Sequence, residues 1–350
     1  MARPQTNGQT APNGPISSVA TQVQPRARTR IVLTALLLLL LASCFCLIHL
    51  ATIDIHSYAA DRHGRLGSRV ERDDGMDSVF RRTLITLTSS EGLVAECGML
   101  SPAEGTERVP AFILLGGKAT GKEAINYVLE MQDAVILAID YPYTPRRTYS
   151  VFDIVHDLPA VRRALLDMVP SVMLAVDHLS RHPLVDTNRI ILVGYSFGAP
   201  FVPATMAVDS RIDAGVMAYG GGDVSSLVYH NVHRYEGVAF SWLVAAAAEV
   251  LLRPIEPVRF ASEVSPRFLL MINGSKDERI PRRNVEVLYD AAMEPKELVW
   301  IPSGHVHPTN VELTRTIVRE MKKALRGRGL VEANVPNSKT TRLSKPAGRS

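Results

Sequence analysis

Ile190-Ile191-Leu192-Val193 runs straight into Gly194-Tyr195-Ser196-Phe197-Gly198, and Ala199-Pro200-Phe201-Val202-Pro203-Ala204 follows. A short apolar run bounded by glycine reads as a buried strand, and the segment after it reads as the start of a helix. Gly-x-Ser-x-Gly at such a junction is a sharp turn that projects a serine hydroxyl clear of the sheet. The backbone at the serine is strained. Strand and helix crowd the positions two before and two after it, which calls for Gly194 and Gly198.

A serine presented this way is a candidate nucleophile, and it needs a base and an acid later in the chain. Arg267-Phe268-Leu269-Leu270-Met271-Ile272-Asn273-Gly274 reads as a second buried strand, with Asp277 on the loop beyond it. Glu297-Leu298-Val299-Trp300-Ile301-Pro302 reads as a third, followed by Ser303-Gly304-His305, with a helical pattern from about Val311. Three loops at one edge of a parallel sheet would then carry Ser196, Asp277 and His305, the edge where such sheets bind ligands. In that arrangement histidine accepts the serine proton, and the carboxylate fixes the imidazole tautomer. The oxyanion needs backbone donors. One is expected from Phe197, and the other from Gly117 or Lys118 after the strand Phe112-Ile113-Leu114-Leu115.

Rival residues exist for each role. His307 stands two positions beyond His305. Asp223, after Gly220-Gly221-Gly222, is an alternative acid at the end of another strand. The Gly-His step and its distance from the strand favour His305, and chain position favours Asp277. Glu278 is expected to be a surface carboxylate and Lys118 a solvated lysine. Asp140 should hydrogen-bond the loop that follows its own strand. His230 and His233 have helical spacing but nothing nearby completes a metal site, so they read as solvated.

From about Arg82 to Arg326 the chain resembles the α/β-hydrolase superfamily, carried by Gly194-Tyr195-Ser196-Phe197-Gly198, by Asn273-Gly274-Ser275-Lys276-Asp277-Glu278-Arg279-Ile280-Pro281 and by Pro302-Ser303-Gly304-His305. It is most similar to the esterase-type branch around dienelactone hydrolases, acetyl xylan esterases and prolyl-oligopeptidase-like domains. The resemblance implies an eight-stranded, mostly parallel sheet with helices on both faces, and a serine hydrolase acting on carboxylic esters through an acyl-enzyme. It implies no cofactor. Dienelactone hydrolases proper use cysteine where this chain has Ser196. Many relatives carry His-Gly where it has Gly116-Gly117. Prolyl-oligopeptidase-like enzymes favour a glycine where it has Ala199, which lowers the peptidase reading. A peptidase or amidase on the same three residues, or a silent hydrolase fold serving as a binding module, are the alternatives.

Ile31 to Ile53 is apolar except for Thr34, Ser43, His49 and Thr52. It is long enough to cross a hydrocarbon core of about 30 Å as a helix. Arg26, Arg28 and Arg30 precede it, so the positive-inside tendency puts the N-terminus in the cytoplasm and the domain on the extracytoplasmic, periplasmic side. The run exceeds the core of a cleaved signal peptide, which favours a retained anchor. Leu41-Ala42-Ser43-Cys44 resembles a lipobox, but the chain continues apolar past Cys44. Either reading tethers the domain to a membrane.

The expected organisation is a disordered basic arm (1–29), a transmembrane signal anchor (30–53), a charged spacer (54–80), the hydrolase domain (81–326) and a disordered basic tail (327–350). The domain's length of about 250 residues suits one α/β unit. Strands are expected near Thr83–Thr88, Val94–Leu100, Ala111–Leu115, Ala134–Asp140, Arg189–Val193, Ala214–Ala218, Phe268–Ile272 and Leu298–Ile301. A helix or helix pair interrupted at Pro170 should span Val161 to Leu179. Residues 223–266 could form a small lid. Their apolar stretch from Val238 to Ala248 is too short to span a bilayer, and reads as a helix packed on the sheet or the domain edge.

The formal charge of +4 is carried by the ends. Residues 1–30 hold four arginines and no acid, and the tail from Arg326 nets +5, which leaves −5 between them. The high pI thus comes from the ends and not from a basic face on the domain, and a nucleic-acid role gets little support. Basic tails could meet anionic lipid. Cys44 and Cys46 lie in the apolar run, so Cys97 has no partner for a disulfide within the domain. No zinc spacing and no dinucleotide or phosphate-loop glycine pattern occurs. The partners implied are a small-molecule or lipid-like acyl ester and the membrane.

Overall fold

The computed structural model describes residues 48–332 except 78, 118–119, 129 and 144–150, together with positions 34, 36–38 and 41. The arm 1–29 and most of the tail 327–350 thus lie outside the described residues. So does most of the run 30–53, which is helical at the positions described up to Ala51. Residues 1–48 and 49–350 are separate units.

The second unit is built on a nine-stranded sheet in the order β1-β2-β3-β5-β4-β6-β7-β8-β9. The strands are β1 (Leu66–Met76), β2 (Phe80–Ser89), β3 (Val94–Pro102), β4 (Val109–Leu115), β5 (Val135–Ile139), β6 (Val185–Tyr195), β7 (Ala214–Ala218), β8 (Phe268–Gly274) and β9 (Lys296–Ile301). All eight expected strands are present. The pairs β1–β2, β2–β3 and β3–β5 are antiparallel, and every pair from β5 through β4 to β9 is parallel.

The ninth strand corrects two expectations. The stretch 54–80 is no loose spacer, and the sheet has one strand more than eight. β1 pairs with β2 along its length, from Leu66 opposite Ser89 to Met76 opposite Arg81. Its side chains are almost all exposed, so it has no period-two apolar signature to find in the sequence. Main-chain pairing holds it. Before it, Asp54 caps α1 (Ile55–His63), accepting from the N–H of His56 and Ser57.

Strand alternation divides the core between the two faces of the sheet. Val135, Leu137 and Ile139 of β5 and Ile190 and Leu192 of β6 share one face with α1, α2 (Val151–Leu179) and α3 (Phe201–Val208). Ile136, Ala138, Ile191 and Val193 share the other with Ala124 and Ile125 and with α8 (Val311–Arg326). α2 runs unbroken through Pro159 and Pro170. The remaining helices are α4 (Val224–His233), α5 (Val238–Leu252), α6 (Pro257–Phe260) and α7 (Arg282–Ala291). α5 packs on α4 rather than on the sheet, with Tyr229 and Trp242 rings 5.4 Å apart.

A polar cluster pins α1 to the domain. Asp167 of α2 accepts from Tyr58 Oη at 2.7 Å and from Arg62 Nε at 3.0 Å and Nη2 at 2.9 Å. Asp177 lies 2.7 Å from Arg211 Nη1 and 3.2 Å from His63 Nε2. Burial works against the Asp177 charge, but the His63 and Arg211 hydrogen bonds outweigh it and hold the carboxyl down to about 2. Asp177→Asn is expected to cost about 2 kcal/mol, less than for a fully buried pair because Arg211 is 42% exposed. Since the folded-state value is depressed from 3.8, the contribution is complete above about pH 4 and is lost as pH falls through about 2. Urea unfolding of both proteins near neutral pH and at about pH 2 checks this, with the difference vanishing in acid.

Candidate active site

Ser196 follows β6 at φ 50°, in the left-handed region that an L-residue enters at a cost. The turn is too tight for side chains beside it. A Cβ on Gly194 would stand 2.5 Å from the Gly198 carbonyl oxygen, and one on Gly198 would stand 2.2 Å from that of Leu115. Both glycines are sterically required, as the sequence pattern implies.

Ser196 Oγ lies 2.7 Å from His305 Nε2, and His305 Nδ1 lies 2.8 Å from Asp277 Oδ2. The Asp277 side chain is 1% exposed and that of His305 6%. Asp277 Oδ1 is occupied by the N–H of Arg279 and Ile280, at 2.8 and 3.1 Å, which turns Oδ2 toward the ring. An ionised carboxylate only accepts, so Nδ1 carries the proton and Nε2 is free to accept from the serine.

The acid and histidine loops are bonded to each other. Ser275 N–H donates to the Ile301 carbonyl at 2.8 Å and Lys276 N–H to that of Ser303 at 3.0 Å. Tyr219 follows β7 at φ 58°, with its ring edge-on to His305 at 5.8 Å and its hydroxyl bonded to Ser303 Oγ. Burial pushes its phenol up, so it stays protonated. Glu278 is an exposed carboxylate, as expected, and it also accepts the His305 N–H at 3.3 Å. Hydrogen bonds from its own N–H and from His305 hold that carboxyl below the usual range. α4 braces the acid loop from outside: His230 Nε2 lies 3.0 Å from the Glu278 carbonyl oxygen, Arg234 donates to the same oxygen at 2.9 Å and Asn231 to that of Arg279 at 2.8 Å.

The rivals are bonded away from the line Ser196–His305–Asp277, although His307 also lines the cleft that Ser196 opens on. His307 Nδ1 pairs with Thr309 Oγ1 at 2.8 Å. Asp223 caps α4, accepting from Ser226 N–H, and lies 3.9 Å from Arg283. Asp140 accepts from Lys122 N–H and Nζ, both at 2.8 Å, so it holds the segment after β4, while most of the loop after its own strand lies outside the described residues. His230 is a brace, where the sequence suggests only a solvated histidine.

Ser196 opens on a cleft of about 650 Å³ whose walls include Gly116, Gly117, Phe197, Ile280 and Val306. Gly117 thus lines the same cleft as the serine, while Lys118 lies outside the described residues. Tyr141 donates to the Gly116 carbonyl, and its ring meets Phe197 edge-on at 5.0 Å, so one half-buried side chain fixes both loops that flank the hydroxyl.

Residues 167–300 match the prolyl oligopeptidase family, a span that holds Ser196 and Asp277 and stops short of His305. The structure superposes on acetyl xylan esterase 1 from Thermoanaerobacterium sp. JW/SL YS485 with a TM-score of 0.58, at 16% identity over 76% of this chain and 92% of that one. The acetyl xylan esterase from Paenibacillus sp. R4 gives 0.56, at 16% identity over 75% and 92%. The chain has the α/β-hydrolase fold. Among curated sequences this chain is 29% identical over 140 residues to the uncharacterized protein YfhR of Escherichia coli O157:H7, covering 40% of this chain and 45% of that protein. The chain therefore spans about half the length of the curated relatives it matches.

Tyr219→Phe keeps the ring and removes only the bond to Ser303. If the hydroxyl positions the histidine loop, kcat should fall about tenfold, the worth of one hydrogen bond, with KM unchanged and the fold intact by circular dichroism.

Proposed function

We propose that the protein is a membrane-anchored serine hydrolase acting on carboxylic esters. The observation that carries the reading is the unbroken hydrogen-bonded line Ser196–His305–Asp277 at the base of an open cleft. In this reading Ser196 Oγ attacks the ester carbonyl as its proton passes to His305 Nε2. Asp277 holds the ring and stabilises the imidazolium. The N–H groups of Phe197 and of Gly117 or Lys118 receive the oxyanion. His305 returns the proton to the leaving alcohol, and the cycle repeats with water to free the acid from the acyl-enzyme. The chemistry needs no cofactor. The apolar run 30–53 serves as the anchor, with the N-terminus cytoplasmic and the catalytic domain outside the cytoplasm.

The match of residues 167–300 to the prolyl oligopeptidase family favours a second reading, a peptidase or amidase on the same residues. A graded series of p-nitrophenyl acyl esters beside peptide anilides separates the two. Faster turnover of anilides would displace the ester reading. A fluorophosphonate probe should label the wild-type protein and leave Ser196→Ala unlabelled. Full activity in that variant would falsify the proposal, and a folded wild-type chain that never labels would favour a silent binding module.

The acid assignment is tested separately. Asp277→Asn should lower kcat by about 10⁴-fold, because the ring then adopts the wrong tautomer. Asp223→Asn and His307→Gln should leave kcat within about twofold, since neither side chain touches the reacting line. The opposite pattern would reassign the acid to Asp223.

A further inference from the structure

The N-terminal half of α5 presents Val238, Phe240, Trp242 and Leu243 to solvent, each more than half exposed, with Tyr235 just before them. The helix is anchored from behind by Ser241, Ala245 and Ala248, which are buried, and by Trp242 against Tyr229 of α4. Isolated exposed apolar residues are ordinary, but a contiguous face of this kind marks a contact site.

The chain itself supplies the argument for what covers it. The apolar run that begins at Ile31 ends at Ile53, directly before the Asp54 cap of α1. That handover point is fixed on the domain. Ile53 packs against the core, and Arg162 donates to the Leu50 carbonyl at 2.6 Å. Two residues beyond the cap, His56 lies 3.6 Å from Glu263, with its ring 6.3 Å from that of Phe260. Phe260 and Glu263 belong to the segment into which α5 runs. The exposed face and the place where the run enters the domain are thus joined by one stretch of chain, from Val238 to Glu263. α5 has 15 residues and so spans about 22 Å, too little to cross a bilayer but enough to lie along one. Tyr and Trp together with Phe, Leu and Val are the composition of a surface seated at the headgroup level.

We propose that this face of α5 is a bilayer contact, so that the domain rests on the membrane surface rather than hanging from it. The inference rests on the membrane-anchored reading above. It also specifies the substrate's route. Asn231 of α4 lines the cleft, and α4 carries α5, so the helical pair that touches lipid also borders the mouth above Ser196. An acyl ester residing in the leaflet would reach the serine without crossing bulk water.

The chain has two tryptophans, so Trp300→Phe leaves Trp242 as the reporter. The full-length variant is reconstituted in phosphatidylcholine vesicles with and without brominated acyl chains. Loss of most of the Trp242 emission on bromination is expected. Phe240→Glu together with Leu243→Glu should lose turnover of a vesicle-borne long-chain ester while keeping that of soluble p-nitrophenyl acetate. Unchanged emission from protein that sediments with the vesicles overturns the contact and leaves the anchor standing. Protein that stays free of the vesicles overturns the anchor and the contact with it. Leu243→Cys that cross-links between copies, with no bromine quenching, assigns the face to a second copy and also overturns the proposal.

Discussion

The structure turns on a close approach between backbones. At Gly198 the chain passes so near the Leu115 carbonyl, and at Gly194 so near Gly198, that no Cβ fits at either position. This contact sets the height at which Ser196 stands above the sheet, and places the loop after β4 against the turn after β6. Tyr141 then locks that loop through the Gly116 carbonyl and steadies Phe197 with its ring. The position of the hydroxyl is settled by main-chain sterics before any of its polar partners is considered.

The partners are held by a second set of contacts, between loops rather than within them. The acid loop and the histidine loop bond to each other through backbone groups at Ser275, Lys276, Ile301 and Ser303. Asp277 is aimed by two N–H groups of its own turn, and the His305 N–H is met by Glu278. α4 adds three side chains from outside. Each contact is modest, but each removes a freedom that Ser196, His305 and Asp277 would otherwise lose only on binding substrate.

Most of this core was legible in the chain. The parallel strands are mostly apolar runs, β6 and β8 with glycine at their ends, and the three residues of the line sit just past β6, β8 and β9, so strand order and the elbow pattern place them at one edge. What was not legible has physical causes. β1 is exposed nearly throughout and is held by main-chain pairing, which leaves no side-chain pattern. Tyr219 and Tyr141 look like ordinary buried aromatics until the fold brings their hydroxyls to Ser303 and Gly116. His230, Asn231 and Arg234 act on carbonyl oxygens some 45 residues away in sequence, and carbonyls carry no sequence signature. Asp140 could be seen as structural, but its target lies before it in the chain.

The parts of the site are neighbours in space and strangers along the chain. The loop after β4, the turn after β6, Tyr219 after β7, Asp277 after β8 and His305 after β9 must all be in register before the line from Ser196 to Asp277 exists. Contacts of such long sequence separation form late in folding. During synthesis the serine leaves the ribosome well before its histidine, so a nascent chain carries an inert hydroxyl. Hydrolytic power, on the reading offered above, would be switched on only when β9 docks at the edge of the sheet, and a chain cut short of His305 would never acquire it.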